Sequence, residues 1–141
     1  MDISSLYQEL ILQHYRAPRN RGRIEQPTRE VAMNNPVCGD EITLQLRLTG
    51  DRIDEVRFEG HGCSISQAAA SMMTQLLVGQ TLAEGERLAE RFTQMMHGDA
   101  EAARDPEMGD LRALAGVAKF PVRVKCALLA WNAFEEAGAQ R

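Results

Sequence analysis

Ile42-Thr43-Leu44-Gln45-Leu46-Arg47-Leu48-Thr49-Gly50-Asp51-Arg52-Ile53-Asp54-Glu55-Val56-Arg57-Phe58 is the stretch on which the fold turns. Apolar side chains at positions 42, 44, 46 and 48 alternate with polar ones at 43, 45, 47 and 49, the period of a strand with one buried face. Gly50-Asp51 turns the chain, and Ile53, Val56 and Phe58 carry the return strand of a hairpin. The return strand does not hold period two after Ile53, so a register shift is expected near Asp54. Such an antiparallel sheet buries one face and leaves the other wet.

On the N-terminal side, Glu30 to Met33 reads as a short edge strand. It is preceded by a connector marked by Gly22 and Pro27, and by a helix with apolar residues at Ile3, Leu6, Tyr7, Leu10, Ile11 and Tyr15. Pro18 prevents that helix from continuing. On the C-terminal side, Ser64 opens a helix that ends at Gly79, with serine available for its N-cap. Thr81 to Met96 carries a second helical pattern, the polar stretch from Gly98 to Gly109 reads as a surface loop, and Leu111, Leu114 and Val117 read as a short helix. Pro121 then starts a last helix that runs to about Ala137. Strands early and helices late predict an α+β fold: a small antiparallel sheet of about three strands with helices packed mainly on one face.

The 141 residues are expected to form a single domain, residues 1–141. Sixteen Lys and Arg against twenty Asp and Glu give a net charge of -4, which argues against a nucleic-acid partner held by phosphate contacts. The cluster Arg16, Arg19, Arg21 and Arg23 is broken by Pro18 and Gly22 and reads as a solvated connector or docking patch. No apolar run approaches the roughly 20 residues that span a bilayer, and Asp2 stands where a signal peptide carries positive charge, so the expectation is a cytoplasmic protein without a membrane partner. The three cysteines lie 25 and 63 residues apart, matching no small disulfide scaffold.

Those cysteines sit in three short segments. Asn34-Asn35-Pro36-Val37-Cys38-Gly39-Asp40 joins turn formers to a thiol and a carboxylate. Gly60-His61-Gly62-Cys63 lies between a strand end and a helix start, where amide dipoles stabilise a thiolate. Cys126 follows Arg123 and Lys125 in the last helix, although helical geometry turns Lys125 about 100 degrees away from it. Each has a plain structural reading: a turn, a helix-entry cysteine, a core cysteine. Together with Asp40 they make a Cys3Asp set suited to tetrahedral zinc or iron. Because the spacing follows no CxxC pairing, the residues alone leave the metal site and the structural reading equally open.

Asn35-Pro36-Val37-Cys38-Gly39-Asp40, Gly60-His61-Gly62-Cys63-Ser64-Ile65-Ser66 and Val122-Arg123-Val124-Lys125-Cys126 resemble the three signature segments of the SufU branch of the NifU/IscU-like family. His14-Tyr15-Arg16-Ala17-Pro18-Arg19-Asn20-Arg21-Gly22 resembles its N-terminal segment. IscU-type members carry His before the third cysteine, where this chain has Lys125, and the long segment between Cys63 and Cys126 also resembles the SufU branch. The resemblance implies a SufE/NifU (IscU-like) fold and a zinc site at Cys38, Asp40, Cys63 and Cys126. It further implies a sulfur carrier in iron-sulfur cluster assembly that takes persulfide sulfur on Cys38 from a SufS-type cysteine desulfurase. A desulfurase residue would replace Cys38 on zinc, and Arg123 would support the acceptor loop.

Such a carrier acts with its desulfurase and serves downstream iron-sulfur assembly proteins; it is not an independent catalyst. The alternative is a scaffold that assembles and transfers a [2Fe-2S] cluster, or holds iron, on the same ligands, in which Asp40 would have to stand as the fourth ligand. A structural zinc module without a reactive thiol is the third reading. His61 is read as a solvated loop residue, His14 and His97 have no ligand role, and Met72, Met73, Met95 and Met96 are read as packing residues.

Overall fold

A computed structural model describes residues 3–140. In chain order the elements are α1 (Ile3–Arg16), β1 (Arg29–Asn35), β2 (Asp40–Thr49), β3 (Arg52–His61), α2 (Ser64–Leu77), α3 (Leu82–Met96), α4 (Ala100–Arg104), a 3-10 segment (Pro106–Lys119) and α5 (Pro121–Ala139). The strands form one antiparallel sheet in the order β1-β2-β3. The expected α+β class and three strands are therefore present, with β1 longer than Glu30 to Met33.

The register break falls where the lost periodicity placed it. Arg47 pairs with Glu55 and Leu48 with Ile53, so Asp54 is left without a partner. The Thr49 hydroxyl and the Arg52 guanidinium bind its carboxylate, so the extra residue is tied to the hairpin turn and the strand can bulge without losing its pairing.

Alternation carries Ile42, Leu44 and Leu46 of β2 to one face, alongside Val31 of β1 and Val56 and Phe58 of β3, and all are buried. α5 packs over β1 and β2 while α2 packs on β3, α5 and α1. Ala68, Ala69 and Ala70 bring α2 close to its neighbours, and Trp131 of α5 stands 6.1 Å from Phe92 and 6.0 Å, edge-on, from Phe134.

The free edge of β3 is covered by the connector after α1: Gly22 donates its N–H to Phe58 O (2.9 Å), and Phe58 donates to Asn20 O (3.2 Å). On the sheet's outer face Gln45 is buried and satisfied, accepting the Ile24 N–H (2.6 Å) and donating to Glu30 (2.9 Å).

Two helical expectations are corrected. The stretch Gly98 to Gly109 is not an open loop, because Asp99 accepts the amides of Glu101 (2.9 Å) and Ala102 (3.4 Å) and Asp105 accepts that of Glu107 (2.9 Å). These caps start α4 and the 3-10 segment, and they bury Ala102 and Met108. The N-cap of α2 is Cys63 and not a serine; it makes no side-chain cap, and the Ser66 hydroxyl of the first turn lies between Cys63 O (3.0 Å) and the Asp40 carboxylate (3.2 Å). Pro121 starts α5 as expected, and Thr81 with Glu84 forms a capping box on α3.

His14 lies 1% exposed between α1, α2 and the 3-10 segment. Its Nδ1 is 2.7 Å from Ser71 Oγ and its Nε2 2.9 Å from Asp110. The Asp110 carboxylate only accepts, so His14 donates Nε2–H to it, while Ser71 Oγ accepts the Arg19 amide (2.7 Å) and lies against Nδ1. The node ties the end of α1 and the connector to α2. Ser71→Ala leaves a buried ring nitrogen and a backbone N–H unpaired, so we expect a loss of about 1–3 kcal/mol in urea unfolding.

Candidate metal centre

The inward stripe of the sheet ends in polar residues. Period two extends Ile42, Leu44 and Leu46 back to Asp40, and Val31 and Met33 forward to Asn35, and Asn35 and Asp40 are paired opposite each other. Pro36-Val37-Cys38-Gly39 closes the hairpin between them, with the Gly39 N–H on Asn35 O (2.9 Å) and Gly39 at φ +72°. Cys38 thus rides on the tip of a hairpin, half-buried, while Asp40 is fully buried below it.

The N-terminus of α2 comes to the same point. The Cys63 N–H donates to Asp40 Oδ1 (3.0 Å), the Ser66 hydroxyl lies 3.2 Å from the same oxygen, and Asn35 Nδ2 lies 3.4 Å from Oδ2. Burial alone would push this carboxyl up. The Cys63 amide, then the Cys126 thiol, Ser66 and Asn35 outweigh it and hold the pKa below its ordinary value. Gly62 makes room for the arrangement, since a Cβ there would collide with the Asp40 carboxylate and the Ser66 hydroxyl.

Cys126 reaches the site from the second turn of α5, fully buried. Its Sγ is 2.8 Å from Cys38 Sγ and 3.8 Å from Asn35 Nδ2, and Cys38 Sγ is 3.9 Å from Val122 O. Burial first, then hydrogen bonds with Cys38 and Asp40 and the charge of Cys63, pushes the Cys126 thiol well above the ordinary range for cysteine.

Ligand atoms of Cys38, Asp40 and Cys126 all lie within 4.8 Å of one another. The half-buried Cys63 stands beside this group, its amide on Asp40 and its thiol facing Cys126 and Arg123. Arg123 is exposed; the charge of Cys63, then hydrogen bonds to Cys126 and Cys63, raises its pKa. Lys125 is exposed, whereas Cys126 beside it in the helix is buried. His61 is exposed and pairs with Glu41 (3.2 Å), His97 is exposed after α3, and His14 belongs to the buried node described above.

The donor set fits a thiophilic cation. Asp40 is an ionised, fully buried carboxylate, and no Lys, Arg or His among the described residues forms an ion pair with it. Its charge is met by N–H and O–H donors and faces two thiols, the surroundings in which a soft divalent ion replaces the thiol protons. Two sulfurs held tetrahedrally at about 2.3 Å from an ion stand about 3.8 Å apart, so Cys38 and Cys126 have to separate by about an ångström. Cys38, on the exposed hairpin tip, is the one with room to move.

Asn35, Ser66 and Gly62 were legible only as turn formers and a capping serine. The signal pointing to Asn35 and Asp40 as neighbours is the alternation itself, carried two residues past the last apolar position of each strand. Nothing in the spacing marks Ser66 as a carboxylate donor.

The sequence profile of the NifU-like N terminal domain matches residues 6–127. The chain is 44% identical over 139 residues to the zinc-dependent sulfurtransferase SufU of Bacillus subtilis, covering 99% of this chain and 93% of that protein. It is 41% identical over 135 residues to the iron-sulfur cluster assembly scaffold protein IscU of Streptococcus pyogenes, covering 96% and 84%. Among solved structures, the N-terminal part of a nitrogen-fixing NifU-like protein from Brucella abortus has the same fold, with a TM-score of 0.85 at 20% identity over 96% of this chain and 93% of that one.

Two outcomes follow from the geometry. Gly62→Ala is expected to cost about 1–3 kcal/mol in urea unfolding of the metal-free protein and to weaken zinc binding in chelator competition. Gly39→Ala, where a Cβ meets nothing, is expected to cost only the roughly 1–2 kcal/mol of a left-handed residue. Because the Cys126 thiol is held protonated in the metal-free protein, zinc uptake is expected to release at least one proton. Affinity should then fall by about tenfold per displaced proton for each unit the pH is lowered, checked by indicator-dye titration in weak buffer.

Proposed function

The chain belongs to the family of NifU-like N-terminal domains, and on that premise we propose that it is a zinc-dependent sulfur acceptor of iron-sulfur cluster assembly that takes persulfide sulfur on Cys38. The observation that carries the reading is the asymmetry of the thiol group: Cys38 is half-exposed on a hairpin tip while its partners Asp40 and Cys126 are buried.

Cys38, Asp40, Cys63 and Cys126 are the metal ligands in this reading. The proximity of the first, second and fourth supports it, as does the position of Cys63 beside Cys126 at the start of α2. Bound zinc supplies charge that keeps the thiols deprotonated and shielded until the partner docks.

Sulfur then moves by thiol exchange. The Cys38 thiolate attacks the terminal sulfur of a persulfide on a SufS-type cysteine desulfurase, and a bond forms between Cys38 Sγ and that sulfur. The donor's sulfur–sulfur bond breaks, and its electron pair leaves on the donor cysteine as thiolate. Cys38 is left as a persulfide for delivery to downstream iron-sulfur assembly proteins. Arg123, beside Cys63 and Cys126, keeps positive charge next to the thiols during the exchange. Val37 and Val122 are large, exposed hydrophobics beside Cys38, and Phe120, two residues before Val122 at the start of α5, is exposed as well, the kind of surface a docking protein covers.

The test follows the label. With radiosulfur-labelled cysteine and a cysteine desulfurase, the wild-type chain is expected to acquire label and stimulate turnover, and Cys38→Ser to do neither. A Cys38→Ser chain that stimulates fully would reduce the site to a structural one. Metal analysis of anaerobically purified protein separates the carrier from the [2Fe-2S] scaffold: near-stoichiometric zinc supports the carrier, a transferable iron-sulfur chromophore the scaffold.

A further inference from the structure

We propose that Asn35 is a positioning residue of the metal centre, its side-chain amide clamping Asp40 to Cys126 so that these two form the fixed half of the site and Cys38 the adjustable half. The inference rests on the metal-binding part of the proposed function and on none of its sulfur chemistry.

Asn35 is the last residue of β1, opposite Asp40 and buried. Its Nδ2 is 3.4 Å from Asp40 Oδ2 and 3.8 Å from Cys126 Sγ, so one NH2 group, with two protons, serves a carboxylate and a sulfur that come from different elements. The amide cannot be turned over, because its carbonyl oxygen would then face the ionised carboxylate. Oδ1 of Asp40 is already supplied by the Cys63 amide and Ser66, whereas Asn35 is the donor on Oδ2 and leaves that oxygen a lone pair for an ion.

The backbone of Asn35 acts on the third ligand in a different way. Its carbonyl accepts the Gly39 N–H (2.9 Å) and so closes the hairpin that carries Cys38, yet among the described residues the Cys38 sulfur has only the Cys126 thiol (2.8 Å) and the Val122 carbonyl (3.9 Å) as hydrogen-bond partners, and no N–H or O–H donor. One residue therefore immobilises the side chains of two ligands while holding only the loop of the third. Groups that hydrogen-bond to metal ligands set their orientation, and their loss weakens binding on the order of 10- to 100-fold.

Asn35→Ala and Asn35→Asp are compared with wild type by zinc competition against a chromophoric chelator, by the visible and thiolate charge-transfer bands of the cobalt(II) form, and by thermal unfolding without metal. Both variants are expected to bind zinc on the order of 10- to 100-fold more weakly and to shift the cobalt bands, while Ser71→Ala, away from the site, shifts neither. In cadmium-loaded wild-type protein the side-chain amide resonances of Asn35 are expected to move on metal uptake, which tests the contact even if a variant fails to fold. Variants with wild-type zinc affinity and cobalt bands, or Asn35 amide resonances indifferent to cadmium, overturn the assignment. Wild-type protein that takes up no metal overturns it together with the metal site, whereas zinc-loaded protein that accepts no sulfur overturns only the carrier reading.

Discussion

A single buried carboxylate organises this molecule. Asp40 sits at the start of β2 with no exposure, accepts the N-cap amide of α2, that of Cys63, and the Asn35 side-chain amide, lies against the Ser66 hydroxyl, and faces Cys126 from α5. An ionised group taken out of water is costly unless donors surround it, so its neighbours have to converge. The donors come from β1 and α2, which makes the end of the sheet, the helix entry and the last helix one packed corner. The missing side chain at Gly62 lets α2 come this close.

The same corner separates rigid from adjustable parts. Asp40 and Cys126 are anchored on a strand and in a helix, under α5 and above the stripe of Ile42, Leu44 and Leu46. Cys38 extends from a four-residue hairpin loop beside Val37 and Val122, both more than half exposed. A ligand on such a loop exchanges partners without disturbing the sheet below it, which an acceptor thiol requires and a structural metal site does not.

Much of the fold was legible because it is periodic. Alternation marked β2, the break near Asp54 marked the bulge, helical periodicity marked α1 and α3, and the start and stop residues Ser64, Gly79 and Pro121 marked α2 and α5. The polar stretch after Gly98 was misread because its helices are started by Asp99 and Asp105, whose caps act locally and leave no apolar stripe in a five-residue helix. The capping of α2 was misread for the opposite reason: Ser66 has a tertiary partner, and the competition between a cap and a buried carboxylate is invisible along the chain. The family of the chain was legible in three short segments, each with a dull reading of its own.

By itself, then, the sequence determined the sheet, most of the helices, the absence of a disulfide framework and the residue types able to hold a soft metal, since all of these rest on local periodicity and chemistry. Convergence was decided by tertiary structure alone. Cys38 and Cys126 are 88 residues apart in the chain and 2.8 Å apart in space. That distance follows from α5 crossing β1 and β2, and no spacing of cysteines encodes it. Nor does spacing tell that Cys126 is buried while Cys38 and Cys63 are half-exposed, a difference set by the packed face of a helix for the first and by a hairpin tip and a helix entry for the other two.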